Sequence, residues 1–144
     1  MKVSMELSKE YVPPYAVIYA DKVTDEIRQA LELLKAADSP VIGQQEDKMA
    51  VIKPDEIYMV RAENGKIVIY TEKESYCSGK RLYELRQQLG SGFMQISKQS
   101  IIRLSYIESV EAGFGGSLAL KLKNGLRDYV SRKYLPLFKE YLGL

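Results

Sequence analysis

The stretch from Phe93 to Lys133 constrains the fold most, because apolar segments alternate in it with short polar joints. Leucine occupies every second position of residues 118–122, a period of two that is typical of a half-buried strand. A glycine-rich turn at 113–116 precedes this strand, and Asn124-Gly125 follows it. An Asn-Gly pair favours a type I′ hairpin turn, which needs positive φ at both central residues. The stretch therefore predicts a β-meander.

The region from residue 41 to residue 92 continues the same pattern of short strands and turns. A second Asn-Gly pair, Asn64-Gly65, predicts another type I′ hairpin. The predicted strands of this region are Val41–Gly43, Met49–Ile52, Ile57–Ala62, Lys66–Thr71 and Ser75–Ser78. The predicted helices are one that ends at Leu89 and one at Leu135–Leu142. The predicted core residues of the second half are Phe93, Ile96, Ile101, Ile107, Leu118, Leu120 and Tyr129.

Residues 1–40 predict a separate ββα unit. Met1–Leu7 alternates apolar and polar residues, Tyr15–Ala20 is an apolar strand, and Thr24 is a suitable N-cap for a helix that ends near Ala37. Asp38–Pro40 is the best boundary to a second domain at 41–144. Because three elements bury too little apolar area to stand alone, we expect the unit to pack on the rest of the chain or on a second copy. It would provide a dimer contact or a regulatory surface.

The composition excludes several classes of protein. The chain has no histidine and one cysteine, so neither a histidine-based triad nor the usual zinc sites can be built. We therefore expect no enzyme activity, no metal and no cofactor. No apolar run approaches the roughly 18 residues of a membrane span, and the N-terminus lacks the apolar segment of a signal peptide. With a single cysteine and hence no intramolecular disulfide, we expect a cytoplasmic protein.

The charge is distributed unevenly along the chain. The net charge is only +2, but residues 98–133 hold seven basic and three acidic residues, a net of +4. A basic patch on a nearly neutral molecule fits contact with a polyanion. A solvated surface of mixed charge explains the same numbers.

Several segments resemble, in order and spacing, the motifs of the LytTR family of bacterial DNA-binding output domains. Phe93–Leu104 is similar to its F-x-R-I-H-R-S-x-I-V-N-L, and Val130–Tyr134 is similar to its V-S-R-R-Y. The other segments that carry the resemblance are Ile57–Thr71, the helix Arg81–Leu89, Tyr106–Val110 and Lys123–Gly125. The resemblance covers about the last hundred residues.

The resemblance implies a mostly β (α+β) fold of meandering sheets with short helices, preceded here by the ββα unit. It implies a sequence-specific double-stranded DNA-binding transcriptional regulator whose loops and strand ends enter successive major grooves. A homodimer on paired promoter half-sites, and a membrane-protein partner that restrains it, are further expectations from the resemblance.

Four candidate DNA contacts lie in two motifs of the family. Arg132, in the closing motif, would read a guanine edge or bind a phosphate, and Lys133 would bind a neighbouring phosphate. Lys98 and Gln99 occupy the joint where the family has a base-contacting residue. The simpler interpretations are a surface salt bridge for Arg132 and a solvated loop for the joint.

Four further candidates have structural explanations of equal weight. Ser97 would bond a phosphate or its own backbone. Arg103 would meet a phosphate or form an internal ion pair. Asn64 and Lys66 flank the first Asn-Gly turn, where the family has a DNA-contacting loop, although the turn itself needs no function to explain it.

Three polar positions depart from the family pattern. Gln95 stands in place of arginine, Gln99 in place of serine and Arg103 in place of asparagine. These departures leave open a second hypothesis, a protein-interaction or ligand-sensing module that has lost specific DNA binding.

Overall fold

The structure is a computed structural model that describes residues 1–12, 14–36 and 40–144. Its helices are α1 (Asp25–Ala36), α2 (Leu82–Leu89) and α3 (Leu135–Leu142). Its strands are β1 (Val41–Gln45), β2 (Lys48–Ile52), β3 (Met59–Glu63), β4 (Lys66–Tyr70), β5 (Ser75–Ser78), β6 (Phe93–Gln95), β7 (Ser100–Arg103), β8 (Ile107–Ala112), β9 (Leu118–Leu122) and β10 (Arg127–Val130). The mostly β fold with short helices is thus confirmed.

The strands form two antiparallel sheets. Seven strands make the larger sheet in the order β2-β1-β5-β4-β3-β7-β6, and three make the smaller sheet in the order β10-β9-β8. The centre of the larger sheet is buried on both faces, so β3 and β7 carry apolar residues in succession rather than in alternation. Met59 and Val60 of β3 consequently belong to different core clusters.

The two cores lie on opposite faces of the larger sheet. One cluster includes residues from β3 and β7 with Leu85 and Leu89 of α2. The other joins the opposite face of the same two strands to the smaller sheet and to Phe138 of α3, whose side chain is fully buried. The larger sheet is therefore the middle layer, between α2 on one side and the smaller sheet with α3 on the other.

The two Asn-Gly turns differ in conformation. Asn64 and Gly65 have φ of 52° and 75°, as the predicted type I′ turn requires. The same prediction is wrong for Asn124-Gly125, where only Gly125 has positive φ. Gly125 N–H donates to the Leu122 carbonyl at 2.9 Å, which makes a longer turn that ends in a left-handed glycine. The Asn124 side chain stabilises this alternative, because its Oδ1 accepts from Leu126 N–H at 3.1 Å.

The two N-terminal strands predicted at Met1–Leu7 and Tyr15–Ala20 are wrong: among the described residues, no strand precedes Val41. Their apolar side chains have no sheet to cover, and a lone pair of strands is marginal in water. The helix is confirmed, and Thr24 Oγ1 accepts from Ile27 N–H at its start. The predicted helix end at Ala37 and the boundary at 38–39 lie outside the described residues.

The core prediction fails at one residue. Tyr129 is 57% exposed, whereas its neighbour Val130 is fully buried. Because successive strand residues point to opposite faces, the residue that shares the inward face with Val130 is Asp128 and not Tyr129. The charge of Asp128 gives no indication of an inward position in the sequence.

Candidate nucleic-acid interface

Two connections between strands of the larger sheet meet at one end of it. The Asn64-Gly65 turn follows β3, and the joint at 96–99 precedes β7. Since β3 and β7 are antiparallel neighbours, the end of one meets the start of the other. Ala62 N–H donates to the Gln99 carbonyl at 2.7 Å, which fixes this contact.

The end of β10 joins the same row. Ser131 N–H donates to the Ile96 carbonyl at 2.9 Å, so the closing motif lies against the joint. Arg132 then reaches the turn between β8 and β9: its Nε donates to the Gly115 carbonyl at 2.7 Å, and its Nη2 donates to the same oxygen. We call residues 64–66, 96–99, 113–116 and 131–133 the loop edge.

The loop edge is basic. It holds four cationic side chains and no carboxylate. These side chains are exposed and belong to Lys66, Lys98, Arg132 and Lys133. At the opposite ends of β3, β4, β9 and β10 lie the turns 54–56, 71–74 and 123–125. The 46–47 turn lies beside them, because Gln45 Nε2 donates to the Glu74 carboxylate at 3.0 Å. We call these four turns the acidic edge. These turns hold six carboxylates and two lysines, so the molecule is electrostatically polar along its strands.

Seven of the eight predicted site residues lie on the loop edge. Asn64, Lys98 and Gln99 are exposed, and Ser97 is half-buried. The Ser97 hydroxyl accepts from Gln99 N–H at 3.2 Å, so the backbone bond expected as its simpler role is formed. Lys133 Nζ lies 5.7 Å from the centre of the Tyr134 ring, which leaves its charge near solvent.

Arg103 is the exception, because it lies at the other end of β7. Its guanidinium lies over the rings of Phe93 and Tyr106, at 4.8 Å and 5.3 Å from their centres. Its Nε is buried and makes no hydrogen bond within the described part of the chain. Its stacked guanidinium is separated from the seven other candidates by the length of the strand.

Gln95, the first departure from the family pattern, stabilises the joint at 96–99 through its half-buried side chain. Its Nε2 donates to the Ser97 carbonyl at 2.9 Å, and its Oε1 accepts from Arg86 at 3.5 Å. The side chain is half-buried and directed at the backbone of the joint. The structure therefore gives this glutamine a role in holding the loop edge in shape.

A polar clasp that sequence reasoning missed holds β10 on the larger sheet. Asp128 Oδ2 accepts from Arg61 Nη2 at 3.1 Å, from Arg61 Nε at 3.2 Å and from the buried Ser100 hydroxyl at 2.5 Å. Arg61 Nη2 also donates to the Arg127 carbonyl at 2.9 Å. The sequence contains one indication of this contact. Side chains alternate between the two faces of a strand, so Arg61 shares the face of the apolar Met59, and Asp128 shares the face of the apolar Val130.

Burial raises the pKa of Tyr70 beside this clasp above its ordinary value, and a hydrogen bond to Glu63 raises it further. The Tyr70 hydroxyl donates to the Glu63 carboxylate, and the Arg61 guanidinium lies 5.7 Å from the Tyr70 ring centre. The contacts from Glu63 through Tyr70 and Arg61 to Asp128 link the hairpin of β3 and β4 to β10, the strand that precedes Arg132.

The chain belongs to the LytTr DNA-binding domain family, whose profile matches residues 47–143. It is thus a bacterial-type DNA-binding domain of a family that is not an enzyme family. Among the described residues, no group of His, Cys, Asp or Glu is arranged to hold a metal, and no helix is long and apolar enough to cross a bilayer.

Known proteins resemble the chain both in sequence and in structure. Two uncharacterized HTH-type transcriptional regulators of Staphylococcus aureus, from strains MSSA476 and MRSA252, are 26% and 25% identical to it. Each match spans 100% of this chain and 99% of the relative, so it includes the N-terminal region. A LytTr DNA-binding domain from Bacillus cereus, described as part of a methyl-accepting/DNA response regulator, superposes with a TM-score of 0.70 at 20% identity. That match covers 74% of this chain and 99% of the solved domain.

The helix-turn-helix in the relatives' names has no counterpart in the described parts of this chain. Five strands separate α1 from α2, and five more separate α2 from α3. A helix-turn-helix needs two consecutive helices joined by a short turn. The described helices therefore do not form a helix-turn-helix.

Proposed function

We propose that this protein is a sequence-specific regulator of transcription that binds double-stranded DNA through the loop edge. The convergence of seven predicted site residues on one basic edge supports this proposal most. Four exposed cations there match the phosphates of a duplex, and the amides of Asn64 and Gln99 have the donor and acceptor pair that reads adenine.

The polarity of the molecule supports one orientation on DNA. The acidic edge lies at the opposite ends of the strands, so the field of the duplex attracts the loop edge and repels the other end. The loop edge extends across the ends of both sheets. We propose that its connections enter successive major grooves on one face of the duplex. This role implies the cytoplasm, where bacterial DNA lies.

Arg132 would contribute through the part of its guanidinium that the turn leaves available. Two of its five N–H donors serve the Gly115 carbonyl, so both N–H groups of Nη1 and the second N–H of Nη2 remain for DNA. We therefore propose that Arg132 reads a guanine edge or binds a phosphate while it also holds the turn in place.

We further propose that residues 1–36 mediate a homodimer that binds paired half-sites. Val3, Met5 and Leu7 are 84–85% exposed, and Leu33 and Leu34 of α1 are 60% and 51% exposed. Such exposure in one region is typical of a protein interface. The membrane-protein partner implied by the resemblance would compete for the same surface.

DNA binding is tested by enriching duplexes from a random pool and measuring their affinity by fluorescence anisotropy at two salt concentrations. The wild-type protein should bind the enriched duplex at roughly 10 to 0.01 nM, and far more tightly than a scrambled one. Replacing Lys98 and Lys133 together by alanine should weaken binding and lower the salt slope by about two. The matched control is Lys48→Ala on β2, at the acidic end of the larger sheet, which should change neither quantity.

Two results together would refute the proposal. The random pool would yield no preferred sequence, and Lys48→Ala would weaken DNA binding as much as the double variant does. These results would favour the second hypothesis, an interaction module that has lost specific DNA binding. Dimerisation is tested separately by sedimentation of the full chain with Met5→Glu and Leu7→Glu, which should shift the mass from dimer to monomer.

A further inference from the structure

The turn between β8 and β9 presents an aromatic ring to solvent. Phe114 is 96% exposed, the highest value among the exposed large apolar side chains of the described residues. Its neighbours in the turn are the glycines at 113, 115 and 116, which leave the ring without side chains around it. A fully exposed phenylalanine contributes nothing to the folded core, so the fold itself does not account for it.

The turn that carries the ring is held rigidly. The Phe114 carbonyl accepts from Ser117 Oγ at 2.6 Å and from Ser117 N–H at 3.2 Å, and Gly113 N–H donates to the Ser117 carbonyl at 2.9 Å. Gly115 and Gly116 have φ of 64° and 84°, which other residues rarely adopt. Because Arg132 also fixes the Gly115 carbonyl, the backbone that carries the ring is ordered before binding, and only the rotamers of the Phe114 side chain are left to be restricted on DNA.

The turn lies beside a cation that the proposed function assigns to DNA. Arg132 holds the carbonyl of the residue next to Phe114, so the ring and the guanidinium approach the duplex together. The glycines allow the backbone close to the floor of a groove. In the major groove, the apolar group on a base edge is the C5-methyl of thymine, and phenylalanine is among the side chains that contact it.

We propose that Phe114 is a specificity-determining residue that recognises a thymine through its C5-methyl group in the major groove that Arg132 enters. This inference rests on the proposed function, because it needs the loop edge on DNA. The site takes an apolar methyl group and would equally accept 5-methylcytosine at the same place.

The test removes the methyl group from the DNA and the ring from the protein, singly and together. Each thymine of the enriched duplex is replaced in turn by deoxyuridine, which deletes only the methyl group. Wild-type affinity should fall roughly fourfold at one thymine of each half-site, as expected for one buried methyl group. Phe114→Ala should bind the unmodified duplex roughly tenfold more weakly and show no further loss with deoxyuridine at that thymine.

Two controls separate the causes of failure. Tyr83→Ala removes another exposed aromatic ring, on α2, and should keep both the affinity and the deoxyuridine effect of the wild type. Phe114→Met keeps an apolar contact and should recover part of the deoxyuridine effect. Because Phe114 is exposed, both of its variants should melt at the wild-type temperature.

Three outcomes would overturn the inference. A wild type that binds the enriched duplex but tolerates deoxyuridine everywhere shows that no methyl group is read. A deoxyuridine effect that persists in Phe114→Ala assigns the reading to another residue. If binding of the wild type makes one base step hyperreactive to permanganate, and Phe114→Ala abolishes this reactivity, the ring inserts between stacked bases and does not contact a methyl group. If the wild type binds no duplex specifically, the proposed function fails first.

Discussion

Asp128→Ala should destabilise the protein much more than the loss of an ordinary surface charge, because its carboxylate closes the clasp between the two sheets. The side chains of Asp128 and Arg61 are 16% and 23% exposed. The substitution leaves Arg61 with only the Arg127 carbonyl as a hydrogen-bond partner. It also leaves the Ser100 hydroxyl, in a residue 2% exposed, without its acceptor.

The expected magnitude follows from these contacts. Breaking a buried ion pair by removing one partner costs about 3–5 kcal/mol, and partial exposure of both side chains reduces this. An unsatisfied buried hydroxyl adds about 1–3 kcal/mol if no water reaches it. We expect a loss of about 2–4 kcal/mol in the free energy of unfolding, measured by urea denaturation with circular dichroism. A double-mutant cycle with Arg61→Ala should give a coupling energy of at least about 1 kcal/mol.

The matched control is the ion pair between Lys121 and Glu108 on the smaller sheet. Its atoms are 3.3 Å apart, close to the 3.1 Å of the clasp, but its side chains are 40% and 50% exposed. Glu108→Ala should therefore cost less than about 0.5 kcal/mol. Equal losses for Glu108→Ala and Asp128→Ala, or a coupling energy near zero with Arg61, would show that the clasp does not hold the sheets together.

Three further predictions concern single side chains. Asn64→Gly keeps a residue that accepts positive φ but removes the side-chain amide. It should therefore leave stability nearly unchanged and weaken specific DNA binding by about 1–3 kcal/mol. An unchanged DNA affinity, measured by anisotropy, would show that Asn64 serves only the turn. Arg103→Met should leave DNA affinity within about twofold, because the guanidinium is stacked away from the loop edge, and a large loss would return Arg103 to the interface. Burial raises the pKa of Tyr70 in the folded state above its ordinary value of 10.0, so the neutral hydroxyl stabilises the fold below pH 10.0, and this contribution is lost as the pH rises through the folded-state pKa. In urea titrations at alkaline pH, Tyr70→Phe should make the free energy of unfolding fall less steeply with pH. The same fall with pH in wild type and variant would contradict this prediction.

The sequence carried most of the fold of residues 41–144, because its signals there are local. Alternation, glycine stops and Asn-Gly pairs set strand and turn positions, and each depends on a few neighbouring residues. The prediction failed where a tertiary contact decides the outcome. Asp128 occupies an inward position because Arg61, which is distant in the sequence, faces it across the two sheets. Without knowledge of this contact, the aromatic ring of Tyr129 predicts that Tyr129, and not Asp128, points into the core.

The N-terminal strands failed for a related reason. The alternation at Met1–Leu7 is a real strand pattern, but a strand needs a partner, and the described structure of this single chain provides none. The loop edge was recognisable only as separate motifs. Hydrogen bonds between distant backbone groups, such as Ser131 to Ile96, bring those motifs together and leave Arg103 at the other end of its strand.

Affinity cleavage tests most directly the central claim that the loop edge faces DNA. The exposed Cys77 is replaced by serine, and an iron–EDTA group is attached to Lys66→Cys, Lys133→Cys or, as the control, Glu72→Cys on the acidic edge. With the enriched duplex, the first two should cut one face of the DNA at different places within roughly one helical turn, 10 base pairs, and the control should not cut. Cutting from Glu72→Cys, with none from the other two, would contradict the account.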